Sequence, residues 1–89
     1  MEKIREHIIF YGHVQGVGFR YRAMYLARSL QLTGWVRNEW DGTVEMEVQG
    51  TLQDIQQLLV KLREQRFIFI SDVREKRIPV EPENSFHVR

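Results

Sequence analysis

A glycine-rich segment near the start of the chain contains residue types that can bind an anion. Residues 12–20 read GHVQGVGFR, so three glycines occupy seven positions ahead of Phe19 and Arg20. Glycines allow consecutive main-chain N–H groups to point to one side and allow a ligand to approach the backbone closely. The planar guanidinium of Arg20 can donate two hydrogen bonds to the oxygens of a phosphate. The segment is therefore a candidate phosphate-binding loop.

Two well-defined phosphate-loop sequences do not fit this segment. The mononucleotide loop needs Gly-Lys followed by Ser or Thr, and the chain has no Gly-Lys pair. The dinucleotide fingerprint G-x-G-x-x-G begins at Gly16 and Gly18 but lacks its third glycine, and 89 residues are too few for a full doubly wound sheet. Because glycine-rich turns between a strand and a helix are often purely structural, that interpretation stays open on the glycines alone.

The spacing of apolar residues predicts a strand before this loop and a helix after it. Residues 4–11 alternate, with Ile4 and Ile8 on one face and Arg5 on the other, which is typical of a strand. The apolar residues after the loop recur at one-face helical spacing: Phe19, Ala23, Leu26, Ala27 and Leu30. A helix beginning there adds the positive end of its dipole and unpaired N–H groups to the loop.

The middle of the chain predicts a hairpin. Residues 33–40 and 43–49 are two β-prone runs joined at Asp41-Gly42, a typical hairpin turn. In the second run Glu45 and Glu47 alternate with apolar residues, so we interpret them as the solvated face of a strand rather than a catalytic carboxylate pair.

The second half of the chain predicts one more helix and two more strands. Thr51 can cap a helix whose apolar stripe is Leu52, Ile55, Leu59 and Leu62. A fourth strand begins within residues 67–70 and can extend to Ile78, residues 79–84 form a turn-rich connection, and residues 85–89 form a short last strand. This βαββαβ order predicts one α+β domain over residues 1–89, a ferredoxin-like sandwich in which two helices cover one face of an antiparallel sheet.

Composition excludes several classes of function. Because the chain has no cysteine, it has no disulfide, thiolate zinc site or cysteine nucleophile. Thirteen basic and twelve acidic residues balance to a net charge of +1, so bulk charge does not favour nucleic acid. The chain has no apolar run near the roughly 18 residues of a membrane span and opens with charged residues, so we expect a cytoplasmic protein without membrane association. His7 and His87 lack metal-ligand spacing, so we expect no metal site.

Two motifs give the loop a family resemblance. The pattern G-x-V-Q-G-V-x-F-R over residues 12–20 resembles the first signature of the acylphosphatase family. A second signature is present as GWVRN over residues 34–38, followed by DGTV over residues 41–44 and by Gly50. Two separated motifs at the expected spacing are far more specific than one glycine loop. The resemblance is close from Ile8 to Gly50, and the element order of the whole chain agrees with it.

The resemblance implies a metal-independent and cofactor-independent hydrolase that cleaves acyl phosphates to a carboxylate and inorganic phosphate, without a covalent intermediate. It implies two catalytic residues: Arg20, which binds the phosphoryl group, and Asn38, which orients the attacking water. The phosphoryl group would also be bound by loop main-chain amides, those of His13, Val14, Gln15, Gly16, Val17, Gly18 and Phe19. The expected partner is a small acyl phosphate, and the expected state is a monomer. Tyr11, Tyr21 and Trp40 flank the motifs and are candidates either for contacting the acyl group or for packing.

Three alternative functions share features of this sequence. RNA-recognition domains share the element order, but residues 43–49 carry two glutamates and no aromatic residue, so we expect no nucleic-acid partner. Acylphosphatase-like domains also open large carbamoyl-transfer maturation proteins, so carbamoyl phosphate is an alternative substrate. The lack of zinc-finger cysteines and further domains in this chain favours a free-standing enzyme. A phosphate-binding domain without turnover is the third alternative, against which the presence of Arg20 and Asn38 argues.

Overall fold

The computed structural model describes residues 2–89, in which two helices and five strands form the expected ferredoxin-like α+β fold. In chain order the elements are β1 (Ile4–His13), α1 (Phe19–Ser29), β2 (Thr33–Asn38), β3 (Val44–Gly50), α2 (Leu52–Arg63), β4 (Phe69–Ile78) and β5 (Phe86–Val88). Within these described residues, neither helix is long and apolar enough to cross a membrane.

The sheet has the strand order β4-β1-β3-β2-β5. Its first four strands are antiparallel, as expected, but β5 pairs in parallel with β2, so the sheet is mixed. The direction of β5 follows from where β4 ends. Ile78 lies in the same cross-strand row as Arg5, Gln49 and Thr33, which is the end of the sheet where β2 begins. Since β5 starts at that end after the chain has crossed the sheet, it must run in the direction of β2.

The core lies between one face of the sheet and the two helices. Helix α2 buries Ile55, Leu58 and Leu62, whereas Leu52, which we predicted to be in its apolar stripe, is 45% exposed. At about 100° per residue, Leu58 lies closer to the centre of the buried stripe than Leu52 does. The predicted stripe was therefore wrong at one position, since Leu58 takes the place of Leu52 in the buried face. The helix has four leucines, and their spacing is compatible with either face.

The helix-free face of the sheet contains a buried arginine. Arg5 lies on the face that we predicted, opposite Ile4 and Ile8, but its side chain is only 1% exposed. It forms ion pairs with Glu47 of β3 at 3.0 Å, and with Glu81 and Glu83 of the crossing segment at 3.3 and 2.7 Å. These contacts attach the segment between β4 and β5 to the sheet.

We expect Glu75→Gln to stabilise the protein at pH 7. Partial burial and the neighbouring Glu6 carboxyl raise the pKa of the Glu75 carboxyl above its ordinary value of 4.5. A carboxyl whose pKa is raised by folding contributes stability at low pH, and this contribution is lost as the pH rises through its folded-state pKa. Because the Glu75 side chain is only partly desolvated and still in contact with solvent, the gain from the amide should be small, about 0.5 kcal/mol.

Urea unfolding of wild type and Glu75→Gln at pH 4 and pH 7 measures this effect, with the larger difference expected at pH 7. A variant that is less stable than wild type at pH 7 would contradict the expectation.

Candidate functional site

The loop between β1 and α1 is anchored at both ends by buried side chains. Val14 and Phe19 are 1% and 2% exposed. The Phe19 ring packs on the Phe10 ring of β1 at a centroid distance of 4.9 Å. The intervening residues 15–18 are half-buried or exposed. The two ends of the loop are therefore fixed in the core, while the backbone between them stays accessible.

Two glycines give this loop its conformation. Gly16 and Gly18 have φ values of +73° and +77°, in the left-handed region that favours glycine. Gly18 is also the N-cap residue of α1, where no side chain caps the helix. Within the part of the chain that the structure describes, the main-chain N–H groups of residues 15–19 donate no hydrogen bond to another main-chain group. Free N–H groups beside the positive end of a helix favour an anion.

Arg20 and Asn38 meet in one cavity of about 170 Å³. The residues that line it come from the loop, the first turn of α1 and the end of β2: Val14, Gly16, Gly18, Phe19, Arg20, Tyr21 and Asn38. This volume is below the roughly 300–1,000 Å³ of pockets that enclose drug-sized ligands. The cavity therefore suits a small charged group better than a nucleotide.

The predicted loop residues divide into two groups. Four of the seven line the cavity, whereas His13, Gln15 and Val17 are absent from its lining. His13 is the last residue of β1 and pairs with Phe69 of β4. Tyr21 lines the cavity and is 55% exposed, whereas Trp40, 97% exposed, does not line it. Phosphate binding by the main-chain amides stays a prediction for all seven loop residues.

The guanidinium of Arg20 is held from the far end of the chain. Its Nη1 donates a hydrogen bond to the main-chain oxygen of Arg89 at 2.9 Å. Arg89 is in turn fixed to β2, because its N–H donates to the oxygen of Val36 at 2.8 Å and its guanidinium lies 4.5 Å from the centre of the Trp35 ring. The sequence carries no local signal for this contact.

Asn38 ends β2 immediately before a tight hairpin. Strand β2 stops there rather than at Trp40, because the turn closes early: the Glu39 N–H donates to the Thr43 oxygen at 2.9 Å. Asp41 Oδ1 accepts hydrogen bonds from the hydroxyl and the N–H of Thr43, at 2.7 and 3.0 Å, and these bonds lower the pKa of the Asp41 carboxyl. Among residues 2–89 the Asn38 side chain has no hydrogen-bond partner, so its amide is available to a ligand.

The two glutamates of β3, Glu45 and Glu47, lie on the helix-free face of the sheet and form ion pairs there. Glu45 accepts a hydrogen bond from His7 Nε2 at 2.6 Å and pairs with Arg37 at 2.8 Å. Burial alone would raise the pKa of the Glu45 carboxyl, but the bonds from His7 and Arg37 lower it below its ordinary value. Glu45 and Glu47 are thus half-buried in ion pairs rather than simply solvated. In residues 2–89 no three His, Asp or Glu side chains are grouped to hold a metal ion.

Comparisons with known proteins agree with these observations. A family model described as Acylphosphatase matches residues 6–88. The whole chain is 38% identical to an acylphosphatase of Moorella thermoacetica and covers 97% of it. An acylphosphatase of Geobacillus kaustophilus is 58% identical over 55 residues, which are 62% of this chain and 58% of the length of that relative. The solved structure of an acylphosphatase from Coxiella burnetii superposes with a TM-score of 0.90 at 38% identity, covering 98% of this chain and 93% of that one.

Proposed function

Since this chain belongs to the acylphosphatase family, we propose that it hydrolyses acyl phosphates to a carboxylate and inorganic phosphate. One observation carries the proposal: Arg20, Asn38 and the glycine loop line the same small cavity. A cation, free N–H donors and a neutral amide are the groups that this hydrolysis needs.

In the proposed reaction, Arg20 and the loop amides bind the phosphoryl oxygens. The transition state of phosphoryl transfer is loose, and its negative charge is spread over the three non-bridging oxygens. Donors that are already oriented towards those oxygens stabilise this charge without reorganising. The guanidinium of Arg20 is pre-oriented by its bond to the Arg89 oxygen at 2.9 Å. With the charge balanced in this way, the proposed mechanism uses neither a metal nor a cofactor.

Asn38 orients the attacking water in this mechanism. Its Oδ1 can accept a hydrogen bond from the water, which directs a lone pair of the water oxygen at phosphorus. An amide is not a base at neutral pH. In a loose transition state, however, the rate depends more on where the nucleophile is placed than on how basic it is. The leaving carboxylate is already a weak base and needs no general acid. As the water oxygen bonds to phosphorus, the P–O bond to the acyl group breaks and the carboxylate leaves with its electron pair. Both protons of the water remain on the product, which is released as dihydrogen phosphate.

The proposed substrates are small acyl phosphates. The cavity has room for a phosphoryl group and a water, so the acyl group extends to the rim, where Tyr21 is 55% exposed. The residues that line the cavity lie between Val14 and Asn38, and the elements that carry them share one core. We propose that residues 1–89 work as one domain and as a monomer.

Hydrolysis of benzoyl phosphate by the purified protein tests the proposal. Loss of its absorbance should be rapid, and EDTA should leave the rate unchanged. Acetyl phosphate and carbamoyl phosphate are measured in parallel by phosphate release. Turnover of carbamoyl phosphate alone would support the carbamoyl-handling alternative, and phosphate binding without hydrolysis of any substrate would support the binding-domain alternative.

A further inference from the structure

The side chain of Gln15 joins the glycine loop to the hairpin that follows Asn38. Its Nε2 donates hydrogen bonds to the main-chain oxygens of Glu39 at 2.6 Å and Thr43 at 2.8 Å. One amide nitrogen has two hydrogens, so these two bonds use both. Among residues 2–89 they are the hydrogen bonds that connect residues 13–19 with residues 38–43.

This position requires a donor. Both acceptors are carbonyl oxygens, so an oxygen atom in place of Nε2 would face two other oxygens without a proton between them. Each carbonyl also accepts a hydrogen bond inside the hairpin, Glu39 from the Gly42 N–H at 3.2 Å and Thr43 from the Glu39 N–H at 2.9 Å. Gln15 therefore adds a second bond to each, and its amide is held in one orientation.

The sheet does not provide this connection by itself. Strand β3 lies between β1 and β2, so no ladder of main-chain hydrogen bonds joins the strand before the loop to the strand that ends at Asn38. The pairing of β1 with β3 ends at Phe10 and Val44, before the loop begins. Beyond that row, buried Val14 and Phe19 anchor the loop in the core and Arg20 reaches β2 through Arg89, but the hydrogen bonds between the loop and the hairpin itself come from the side chain of Gln15.

We propose that Gln15 is a positioning residue for acyl phosphate hydrolysis. Its amide sets the distance between the loop that binds the phosphoryl group and the hairpin that presents Asn38, and so sets where the water stands relative to phosphorus. This inference rests on the proposed function. Misplacing reacting groups by about 1 Å can cost on the order of 10²-fold in rate, so loss of the link should affect kcat strongly.

Gln15→Met and Gln15→Glu test this role. Methionine keeps the length of the side chain without a donor, and glutamate replaces the donor with an oxygen. We expect kcat to fall by roughly 10- to 100-fold in both variants. The inhibition constant of inorganic phosphate should change by less than about threefold in Gln15→Met, because Arg20 and the loop amides still bind it. In Gln15→Glu the added negative charge repels phosphate, so this binding measurement is made on Gln15→Met.

Gln65→Met is the matched control. Gln65 is also half-buried, and its Nε2 also donates to a main-chain oxygen, that of Lys61 at 3.0 Å, but it does not line the cavity. The Gln65→Met variant should lower the melting temperature about as much as Gln15→Met does and leave kcat unchanged. All rates are corrected for the folded fraction measured by circular dichroism.

The outcomes separate this inference from the proposed function. A wild-type protein without turnover would overturn both. Wild-type turnover with an unchanged kcat in folded Gln15→Met would overturn the positioning role alone. A rise in the phosphate inhibition constant of Gln15→Met that matches its fall in kcat would also overturn the positioning role, because it would assign Gln15 to phosphate binding rather than to alignment. If Gln15→Met is unfolded, Gln15→Asn, which keeps the donor on a shorter side chain, is measured by the same criteria.

Discussion

Arg20→Gln is expected to abolish turnover and phosphate binding together. The substitution removes the positive charge from the cavity and replaces a planar group that donates two hydrogen bonds with a neutral amide. Loss of a single pre-oriented donor from such a site typically costs on the order of 10²–10³ in rate. Because a full charge is lost as well, we expect kcat/KM to fall by at least roughly 10³-fold.

Arg22→Gln is the control for this experiment. Arg22 lies on the same helix two residues later, is exposed, donates to Gln65 Oε1 at 3.0 Å and does not line the cavity. It should keep kcat/KM within about twofold of wild type, as is usual for surface changes away from a site. Both variants are compared by benzoyl phosphate hydrolysis and by competition with inorganic phosphate. Turnover by Arg20→Gln within tenfold of wild type would remove Arg20 from the proposed mechanism.

Asn38→Ala is expected to lose turnover and to keep phosphate binding. In the proposed mechanism Asn38 contacts the water rather than the phosphoryl group, so its removal should lower kcat by on the order of 10²–10³. The inhibition constant of phosphate should stay within about threefold, because Arg20 and the loop amides are intact. The side chain is exposed and has no hydrogen bond within residues 2–89, so stability should change by less than about 0.5 kcal/mol.

The other asparagine of the chain provides the comparison. Asn84 is also exposed but lines a separate cavity beside Phe86. Asn84→Ala should therefore leave kcat and phosphate inhibition at wild-type values. A near-normal kcat in Asn38→Ala would contradict the water-orienting role. Parallel losses of kcat and phosphate affinity would instead assign Asn38 to phosphoryl binding.

Much of the fold follows from local patterns. The helical spacing from Phe19 predicts α1, and the alternation around Met46 predicts β3, because these periodicities come from neighbouring residues that share one environment. The parallel direction of β5 did not follow, since it depends on the end of the sheet from which residues 79–85 cross. The burial of Arg5 was missed for the same reason: its partners Glu81 and Glu83 lie in that crossing segment.

The residues of the candidate site also differ in whether the sequence alone predicts their role. Gly16, Gly18, Arg20 and Asn38 were proposed from two short motifs, whose residue types already indicate anion binding and a polar amide. The side-chain role of Gln15 could not be predicted, because a glutamine in a loop has many possible partners. Its acceptors at Glu39 and Thr43 become neighbours through the pairing of β3 with both β1 and β2.

The element order, the family resemblance and the residues proposed to bind a phosphoryl group can each be predicted from a short stretch of the sequence, because they depend on neighbouring residues. Only the packed fold shows which of these groups share one cavity, how the oxygen of Arg89 holds Arg20, and how Gln15 joins the loop to the hairpin. These are contacts between residues distant along the chain. A side chain's intrinsic chemistry limits what it can bind, but the packing of sheet and helices selects which partner lies within hydrogen-bonding distance.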